Sequence, residues 1–277
     1  MSDTSATLES LLEHMIELAL EAGAQIDEIY NSDFKTEQKA DGSAVTEADR
    51  IGEAIITAGL KAAAADIPIL AEEAASEGKI PPLGDRFFLV DPLDGTREFV
   101  NRTGEFTINI ALIENAAPKI GVVYAPGSSK LYYGVVGGGA YLQRVAPGAS
   151  RDEATTAARI EARPVPPTDR IAVASRSHRS PETEAFLDKI NASDFTPAGS
   201  SLKFCLIAEG IADVYPRLGR TMEWDTGAAQ AVLEAAGGSV HSLDGDVEGG
   251  PLRYNKKGRG FDNPHFIAWG ARRTEAQ

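Results

Sequence analysis

Five segments typical of β-strands lie between residues 86 and 142, and this run constrains the fold more than any other feature of the chain. The segments are rich in β-branched and aromatic residues and are separated by Gly, Pro and Asn. They cover residues 86–90, 106–113, 120–124, 131–136 and 140–142. The run predicts a multi-strand antiparallel sheet.

Helical patterns precede this sheet. Apolar residues recur at spacings of three, four and seven over residues 7–30, which predicts an amphipathic helix. The segment Thr46-Glu-Ala-Asp49 gives a cap-like start to a second helix over 46–65. Beyond residue 168 the patterns mix, and we expect strands at 171–174, 212–215 and 265–268 and helices at 181–190, 200–210 and 224–236.

The stretch 145–168 is rich in Ala, Arg and Pro and is the best boundary between two halves. We therefore expect an N-terminal α+β half over residues 1–150 and a C-terminal α/β half over residues 165–277. Because helical segments alternate with the multi-strand stretch, the fold class is α/β (α+β). A layered sandwich is favoured over a doubly wound sheet.

Charge and cysteine content exclude several functions. The 277 residues include 27 Lys+Arg and 41 Asp+Glu, and the formal charge of -14 argues against binding a nucleic acid polymer or an anionic lipid surface. A single cysteine, Cys205, excludes an internal disulfide and a cysteine-based zinc site. With no basic start and no apolar run of about 18 residues, we expect a cytoplasmic protein without signal peptide or integral membrane contact.

The acidic motif Asp91-Pro-Leu-Asp-Gly-Thr96 stands directly after an apolar segment. In open α/β architectures, ligand sites gather at the carboxyl ends of strands. Gly95 permits a left-handed turn, so the carboxylates of Asp91 and Asp94 can converge with the carbonyl of Leu93. Three hard oxygen donors suit Mg²⁺ or Mn²⁺. The alternative is an ordinary Asp-Gly turn in which Asp91 only caps the strand.

Three further acidic residues raise the case for a metal site: Glu72, Asp225 and Asp49. Each has an ordinary alternative: an exposed charge pair for Glu72, an N-cap for Asp225, and a first-turn residue favoured by the helix dipole for Asp49. Glu72 and Asp225, with the two Asp residues of the motif, would suit two metal ions about 3.5 to 4 Å apart. That arrangement supports in-line displacement at phosphorus.

These acidic segments resemble the signatures of the inositol monophosphatase family of magnesium-dependent, lithium-sensitive phosphatases. Asp91-Pro-Leu-Asp-Gly-Thr96 matches the first signature, and Trp224-Asp225 with the Ala-rich sequence after it matches the second. Thr46-Glu-Ala-Asp49 and Ala71-Glu72-Glu73 lie upstream in the family's order, so the similarity covers nearly the whole chain. One departure is Gly227-Ala228-Ala229, where the family pattern leads us to expect Ala-Ala-Gly. The resemblance implies the family's layered αβαβα sandwich.

The resemblance also implies roles for individual residues. The implied metal ligands are Glu72, Asp91, Leu93 through its carbonyl, Asp94 and Asp225, for two or three Mg²⁺ ions with Mn²⁺ as a substitute. The implied catalytic residues are Glu72, Thr96 and Asp49. Glu72 and Thr96 would position the attacking water, and Asp49 would support a third ion.

Further segments are similar to one branch of the family, the 3'(2'),5'-bisphosphate nucleotidases of the CysQ type. They are Gly95–Phe99, Gly199–Cys205, Ala212–Arg217 and Thr221–Asp225. This similarity implies hydrolysis of 3'-phosphoadenosine 5'-phosphate, a nucleotide bisphosphate of sulfur metabolism, to AMP and phosphate. The implied substrate-binding residues are Asp94, Gly95, Thr96, Ser200, Ser201, Lys203, Arg217 and Asp225.

Lys203 and the two serines could bind the second phosphate or the nucleotide, Lys203 as a point charge and a serine at a helix N-terminus. Alternatively, Ser200 or Ser201 only caps its helix.

Two other functions stay open. One is an inositol-1-phosphatase or sugar bisphosphatase of the same fold, which Arg97-Glu98 and Ser201-Leu-Lys203 disfavour. The other is a catalytically silent protein that binds divalent ions or phosphate, which the full set of metal acids disfavours. A monomer and a homodimer are both compatible with the sequence. Family members can lie peripherally on the cytoplasmic face of the inner membrane, although no basic amphipathic helix here supports that location.

Overall fold

A computed structural model describes residues 7–38, 42, 44–174 and 181–272. The helices are α1 (Leu8–Tyr30), α2 (Glu47–Ala63), α3 (Glu72–Ser76), α4 (Thr96–Val100), α5 (Pro181–Lys189), α6 (Leu202–Ala208) and α7 (Gly227–Ala235). The strands before residue 165 are β1 (Thr36–Gln38), β2 (Ala44–Thr46), β3 (Ile69–Ala71), β4 (Arg86–Asp94), β5 (Thr107–Glu114), β6 (Ala117–Ala125), β7 (Lys130–Val135), β8 (Gly139–Arg144) and β9 (Ala158–Ile160). Those after it are β10 (Arg170–Ala174), β11 (Ala192–Pro197), β12 (Val214–Arg217), β13 (Ser239–Asp244), β14 (Val247–Pro251) and β15 (Phe266–Trp269).

The first large sheet has seven strands in the order β3-β4-β5-β6-β7-β8-β9. Strands β4 to β9 pair antiparallel, which confirms the antiparallel sheet expected from the sequence. β3 adds to the edge as a parallel neighbour of β4. Neither β3 nor β9 was expected as a strand, because three residues are too few to show the alternation that identifies one.

The second large sheet has six strands in the order β11-β10-β12-β15-β13-β14. β10 pairs parallel with β11 and β12, and the remaining pairs are antiparallel. The sequence predicted β10, β12 and β15 but missed β11, β13 and β14. All five residues of β14 are exposed, so its sequence carries no apolar signal.

Helices and sheets alternate in five layers. α1 and α2 pack on one face of the seven-stranded sheet, and α6 and α7 lie between the two sheets. α5 covers the outer face of the six-stranded sheet, where Phe186 and Leu187 are buried. The αβαβα sandwich expected from the sequence is therefore confirmed. Because the core between the sheets contains residues from both parts of the chain, the division at 145–168 remains a prediction.

The contact between α7 and the seven-stranded sheet depends on a residue without a side chain. A Cβ atom on Gly121 of β6 would lie 2.1 Å from the carbonyl oxygen of Ala228 and 2.7 Å from Cβ of Ala231. Only glycine lets the helix backbone approach the strand this closely. This close approach determines how near α7, and the loop before it, lies to the seven-stranded sheet.

Among the described residues, no helix combines the length and apolar character needed to cross a bilayer.

Candidate active site

The acidic motif lies in a bulge of the seven-stranded sheet. β4 does not end at Val90, as the sequence suggested, but continues to Asp94. In the ladder with β5, Asp91 faces Asn109 and Asp94 faces Thr107, so three steps along β4 match two along β5. One extra residue in a strand is a β-bulge, which bends the strand and re-aims its side chains. The bulge therefore turns both Asp carboxylates of the motif toward the end of the sheet.

A left-handed glycine follows the bulge, as the sequence predicted. Gly95 has φ 94° and ψ 39°, and a Cβ atom there would lie 3.1 Å from the carbonyl oxygen of Glu105. The turn places Oγ1 of Thr96 3.3 Å from the carbonyl oxygen of Leu93. The backbone N–H of Leu93 donates to Oδ1 of Asp91 at 3.0 Å. Carboxylate, carbonyl and hydroxyl oxygens thus lie close together around one turn.

Asp49 both caps its helix and contacts this turn. Its Oδ2 accepts hydrogen bonds from the backbone N–H (2.7 Å) and the hydroxyl (2.8 Å) of Thr46, which precedes α2. Its Oδ1 lies 3.2 Å from Oγ1 of Thr96. Asp49 is only 1% exposed. The helix-start interpretation of Asp49 is correct, but it does not exclude a place in the site.

Glu72 is the first residue of α3, directly after β3. Because β3 and β4 are parallel neighbours, their carboxyl ends meet, and Glu72 forms a side-chain hydrogen bond with Asp91. The short helix is fixed from outside by Glu53 of α2, whose carboxylate accepts the backbone N–H groups of Glu73 (2.7 Å) and Ala74 (2.9 Å). These bonds satisfy N–H groups at the start of α3 that would otherwise lack a partner.

Asp225 lies in the loop before α7, and the expected helix start at 224 is wrong. The helix begins at Gly227, with Thr226 at the N-cap position. Oδ2 of Asp225 accepts the backbone N–H of Met222 at 2.9 Å. Because its carboxylate closes the preceding turn, Asp225 is not the helix N-cap. The departure at Gly227-Ala228-Ala229 forms the first turn of α7.

Two residues hold this loop in place. Glu223 is completely buried, and its carboxylate accepts the backbone N–H groups of Asn255 (2.8 Å) and Lys256 (2.7 Å). Nζ of Lys256 lies 2.9 Å from the same carboxylate. Nδ2 of Asn263 donates to the carbonyl of Met222 at 2.7 Å. The C-terminal part of the chain therefore supports the loop that carries Asp225.

Burial and neighbouring carboxylates shift the pKa values of Asp91 and Asp225. Burial raises the pKa of Asp91 well above its usual range, and the carboxylates of Glu72, Asp94 and Asp225 raise it further. Burial and the carboxylate of Asp94 likewise raise the pKa of Asp225, although the hydrogen bond from the backbone N–H of Met222 and, less strongly, the charge of Arg217 oppose this shift. Like charges held together without a counter-ion produce this effect, and a bound cation would reverse it.

The donor set fits a hard divalent cation. Carboxylates and a backbone carbonyl are the ligands that Mg²⁺ and Mn²⁺ prefer. Across the described part of the chain, no three acidic, His or Cys side chains are already closed around one point as a metal cage. The four carboxylates nevertheless lie close enough together for Glu72, Asp94 and Asp225 to raise the pKa of Asp91.

A cavity of about 500 Å³ opens beside the carboxylates. Of the expected substrate-binding residues, it is lined by Asp94, Gly95, Ser200, Lys203, Arg217 and Asp225, but not by Thr96 or Ser201. Arg97, Glu98 and Glu182 also line it, so three cationic and four acidic residues border this space. Lys203 is only 8% exposed, and its Nζ donates to the carbonyl of Ser200 at 2.8 Å and lies 5.5 Å from the ring centre of Tyr215.

Neither serine of the predicted phosphate-binding segment caps a helix. α6 begins at Leu202, and Ser201 at the N-cap position makes no side-chain capping bond. Both hydroxyls instead approach Oδ2 of Asp94, Ser200 at 2.5 Å and Ser201 at 3.1 Å. Ser201 is 2% exposed. The capping interpretation of these residues is wrong, because the Ser200 hydroxyl donates to Oδ2 of Asp94 and the Ser201 hydroxyl donates to Oδ1 of Asn109 at 2.7 Å.

Sequence reasoning missed four residues that support the site: Glu53, Glu223, Thr107 and Asn109. Glu53 lies one turn after Asp49, which is a recognisable i,i+4 relation on one helix face. Thr107 and Asn109 are the polar positions at the start of an otherwise apolar strand, and both point to the same side of the sheet. Glu223 carried no such signal, because its partners lie more than thirty residues away.

A layered α/β sandwich with clustered carboxylates at the end of a bulged strand, beside a cavity lined by both acidic and cationic side chains, defines a class of protein: one that holds hard cations against a phosphate ester. Comparison with known proteins specifies the class. The chain belongs to the inositol monophosphatase family, whose family model matches residues 7–271.

Named relatives lie within this family. The chain is 41% identical over 258 residues to the 3'(2'),5'-bisphosphate nucleotidase CysQ of Salmonella typhimurium. The aligned region covers 92% of this chain and 98% of the relative. The CysQ protein of Escherichia coli K12 is 40% identical with the same coverage. Among solved structures, CysQ from Bacteroides thetaiotaomicron superposes with a TM-score of 0.78 at 40% identity, over 95% of this chain and 98% of that one. The IMPase of Thermotoga maritima gives a TM-score of 0.72 at 25% identity, with 94% and 91% coverage.

Proposed function

We propose that this protein is a divalent-metal-dependent phosphomonoesterase that hydrolyses 3'(2'),5'-bisphosphate nucleotides, with 3'-phosphoadenosine 5'-phosphate as substrate and AMP and phosphate as products. The observation that carries the proposal is the cluster of four carboxylates, of which Asp91 and Asp225 have raised pKa values, beside a cavity that three cationic side chains help to line. The identity of about 40% to relatives named as bisphosphate nucleotidases supports the choice of substrate.

We propose that the metal ions are held by oxygen donors of the carboxylate cluster: Glu72, Asp91, Asp94, Asp225 and the carbonyl of Leu93. When bound, Mg²⁺ supplies positive charge that polarises the phosphate ester and offsets the negative charge of the carboxylates. Buried carboxylates with raised pKa values favour this role, because binding a cation is an alternative to binding protons. Mn²⁺ has the same preference for oxygen ligands and would serve as a substitute.

The chain's own residues would orient the reactants. The hydroxyl of Thr96, placed between Asp49 and the carbonyl of Leu93, can donate to only one of them and accept from a water molecule. Together with Glu72 it would align that water with the phosphorus atom. Asp49 keeps Thr96 in this orientation.

The cations of the cavity would bind the second phosphate. Nε of Arg217 is buried and has no hydrogen-bond acceptor among the described residues, so a phosphate oxygen would satisfy it. The buried side chain of Lys203 lines the same cavity and supplies a second positive charge there. A substrate with one phosphate would leave Nε of Arg217 without an acceptor, which favours a bisphosphate. Gly95 and Ser200 would contact the substrate along the same wall.

The test is phosphate release by the purified protein from 3'-phosphoadenosine 5'-phosphate, inositol 1-phosphate and fructose 1,6-bisphosphate, each with Mg²⁺ and with chelator. We expect chelator-sensitive release with a strong preference for the nucleotide. Preference for the inositol or sugar ester would refute the substrate assignment while keeping the metal site. No release from any of them would favour a silent ion- or phosphate-binding protein.

A further inference from the structure

A chain of hydrogen bonds, buried at β5 and partly buried at Ser200, runs from β5 to the carboxylate of Asp94. Nδ2 of Asn109 donates to Oγ1 of Thr107 at 3.2 Å, and Oγ1 of Thr107 lies 2.5 Å from Oγ of Ser200. Oγ of Ser200 lies 2.5 Å from Oδ2 of Asp94. Ser201 lies beside this chain: its hydroxyl donates to Oδ1 of Asn109 at 2.7 Å, and its Oγ lies 2.9 Å from Oγ1 of Thr107 and 3.1 Å from Oδ2 of Asp94. The chain connects the seven-stranded sheet to the segment before α6.

Counting hydroxyl protons shows which group is the donor in each bond of this hydrogen-bond chain. A carboxylate can only accept, so Ser200 gives its single hydroxyl proton to Asp94. Ser200 then has no proton left for Thr107, and in their 2.5 Å contact Thr107 must be the donor. The hydroxyl of Thr107 is in turn the acceptor for the Asn109 amide. Each donor polarises the next, and the chain ends on the negative charge, which strengthens the final bond.

The serine hydroxyls contact Oδ2 of Asp94 and not its other carboxylate oxygen, Oδ1. Because both contacts are to the same oxygen, they restrict rotation of the carboxylate about the Cβ–Cγ bond of Asp94. Thr107 faces Asp94 directly across the ladder at the bulge, is completely buried and does not line the cavity. It therefore acts on Asp94 without touching a substrate in the cavity.

We propose that Thr107 is a positioning residue for Asp94: its hydroxyl orders Ser200, and Ser200 sets the carboxylate for cation binding. The proposal rests on the metal site of the proposed function. It differs from a packing role for Thr107, because it assigns the effect to the hydroxyl and not to the branched shape of the side chain. Hydrogen-bond partners of this kind orient the groups that bind a metal.

Two substitutions separate the hydroxyl from the shape. Thr107→Val keeps the branched shape and removes the hydroxyl, whereas Thr107→Ser keeps the hydroxyl and removes the methyl group. Mn²⁺ affinity is measured by titration, following the electron paramagnetic resonance signal of the free ion, so the readout needs no substrate. We expect Thr107→Val to bind Mn²⁺ about 10- to 100-fold more weakly than the wild type, and Thr107→Ser to bind it within about 3-fold.

Either of two results would overturn the proposal: unchanged Mn²⁺ affinity in Thr107→Val, or equal weakening in both variants, which would indicate packing. If Thr107→Val does not fold, as judged by its circular dichroism spectrum, Ser200→Ala tests the same hydrogen-bond chain. It removes the 2.5 Å donor to Asp94 and should weaken Mn²⁺ binding, while unchanged binding would count against the proposal. Wild-type protein that binds Mn²⁺ but releases no phosphate would refute the proposed function and leave this comparison valid.

Discussion

Removing the carboxylate of Glu223 should destabilise the protein through the loop that carries Asp225. In Glu223→Ala, the backbone N–H groups of Asn255 and Lys256 lose their acceptor. The ammonium of Lys256, whose side chain is 17% exposed, loses its counter-charge. Burial already lowers the pKa of Lys256, and Glu223 is the partner that opposes this shift.

The size of the effect follows from burial. Removing one member of a buried ion pair costs about 3 to 5 kcal/mol, because the remaining charge stays uncompensated. Lys256 is long and partly exposed, so its ammonium can move toward water, and we expect the lower end, about 3 kcal/mol. Removing both partners should cost less than the sum of the two single substitutions, because Lys256→Ala removes the stranded charge.

Urea unfolding followed by circular dichroism measures this loss, and a 3 kcal/mol change corresponds to a midpoint shift of roughly 1 M or more. The matched control is Lys189→Ala, which breaks an ion pair with Asp246 in which both side chains are more than half exposed. That change should stay within about 1 kcal/mol of wild type. If Glu223→Ala is as stable as the control, the argument that the tail supports the Asp225 loop is wrong.

Three further predictions concern the carboxylates and the core. Asp91→Asn should abolish phosphate release while the circular dichroism spectrum stays native, and near-normal turnover by the folded variant would contradict the metal assignment. Because the pKa values of Asp91 and Asp225 are raised in the folded state, the metal-free protein holds these protons more tightly than the unfolded chain. Its melting temperature in chelator should therefore fall as the pH rises above about 4, and Mg²⁺ should raise it most at the higher pH values; a melting temperature that rises with pH in chelator would refute this. Gly121→Ala should cost about 1 to 3 kcal/mol or more in urea unfolding, because its Cβ meets the backbone of α7 at Ala228, and unchanged stability would show that the helix can shift.

Much of the fold could be predicted from sequence because its signals are local. The apolar period of α1 and the cap at Thr46 identify the first two helices, and β-branched runs identify the central strands of the seven-stranded sheet. Edge strands such as β3 and β14 escaped prediction, since three residues, or five exposed ones, carry no periodic signal. The end of β4 was placed too early, because a bulge depends on the partner strand and not on the residues of the motif.

The sequence by itself determined the type of chemistry available. Asp91, Asp94 and Asp225 are hard oxygen donors wherever they lie, and Gly95 in the motif already required a left-handed turn. Only the tertiary structure decided how these groups are held. The Ser200 hydroxyl could cap a helix, bind a phosphate or orient a carboxylate, and its neighbours along the chain do not distinguish these roles. Asp94, which lies 106 residues earlier, accepts that hydroxyl because two sheets pack around α6 and α7.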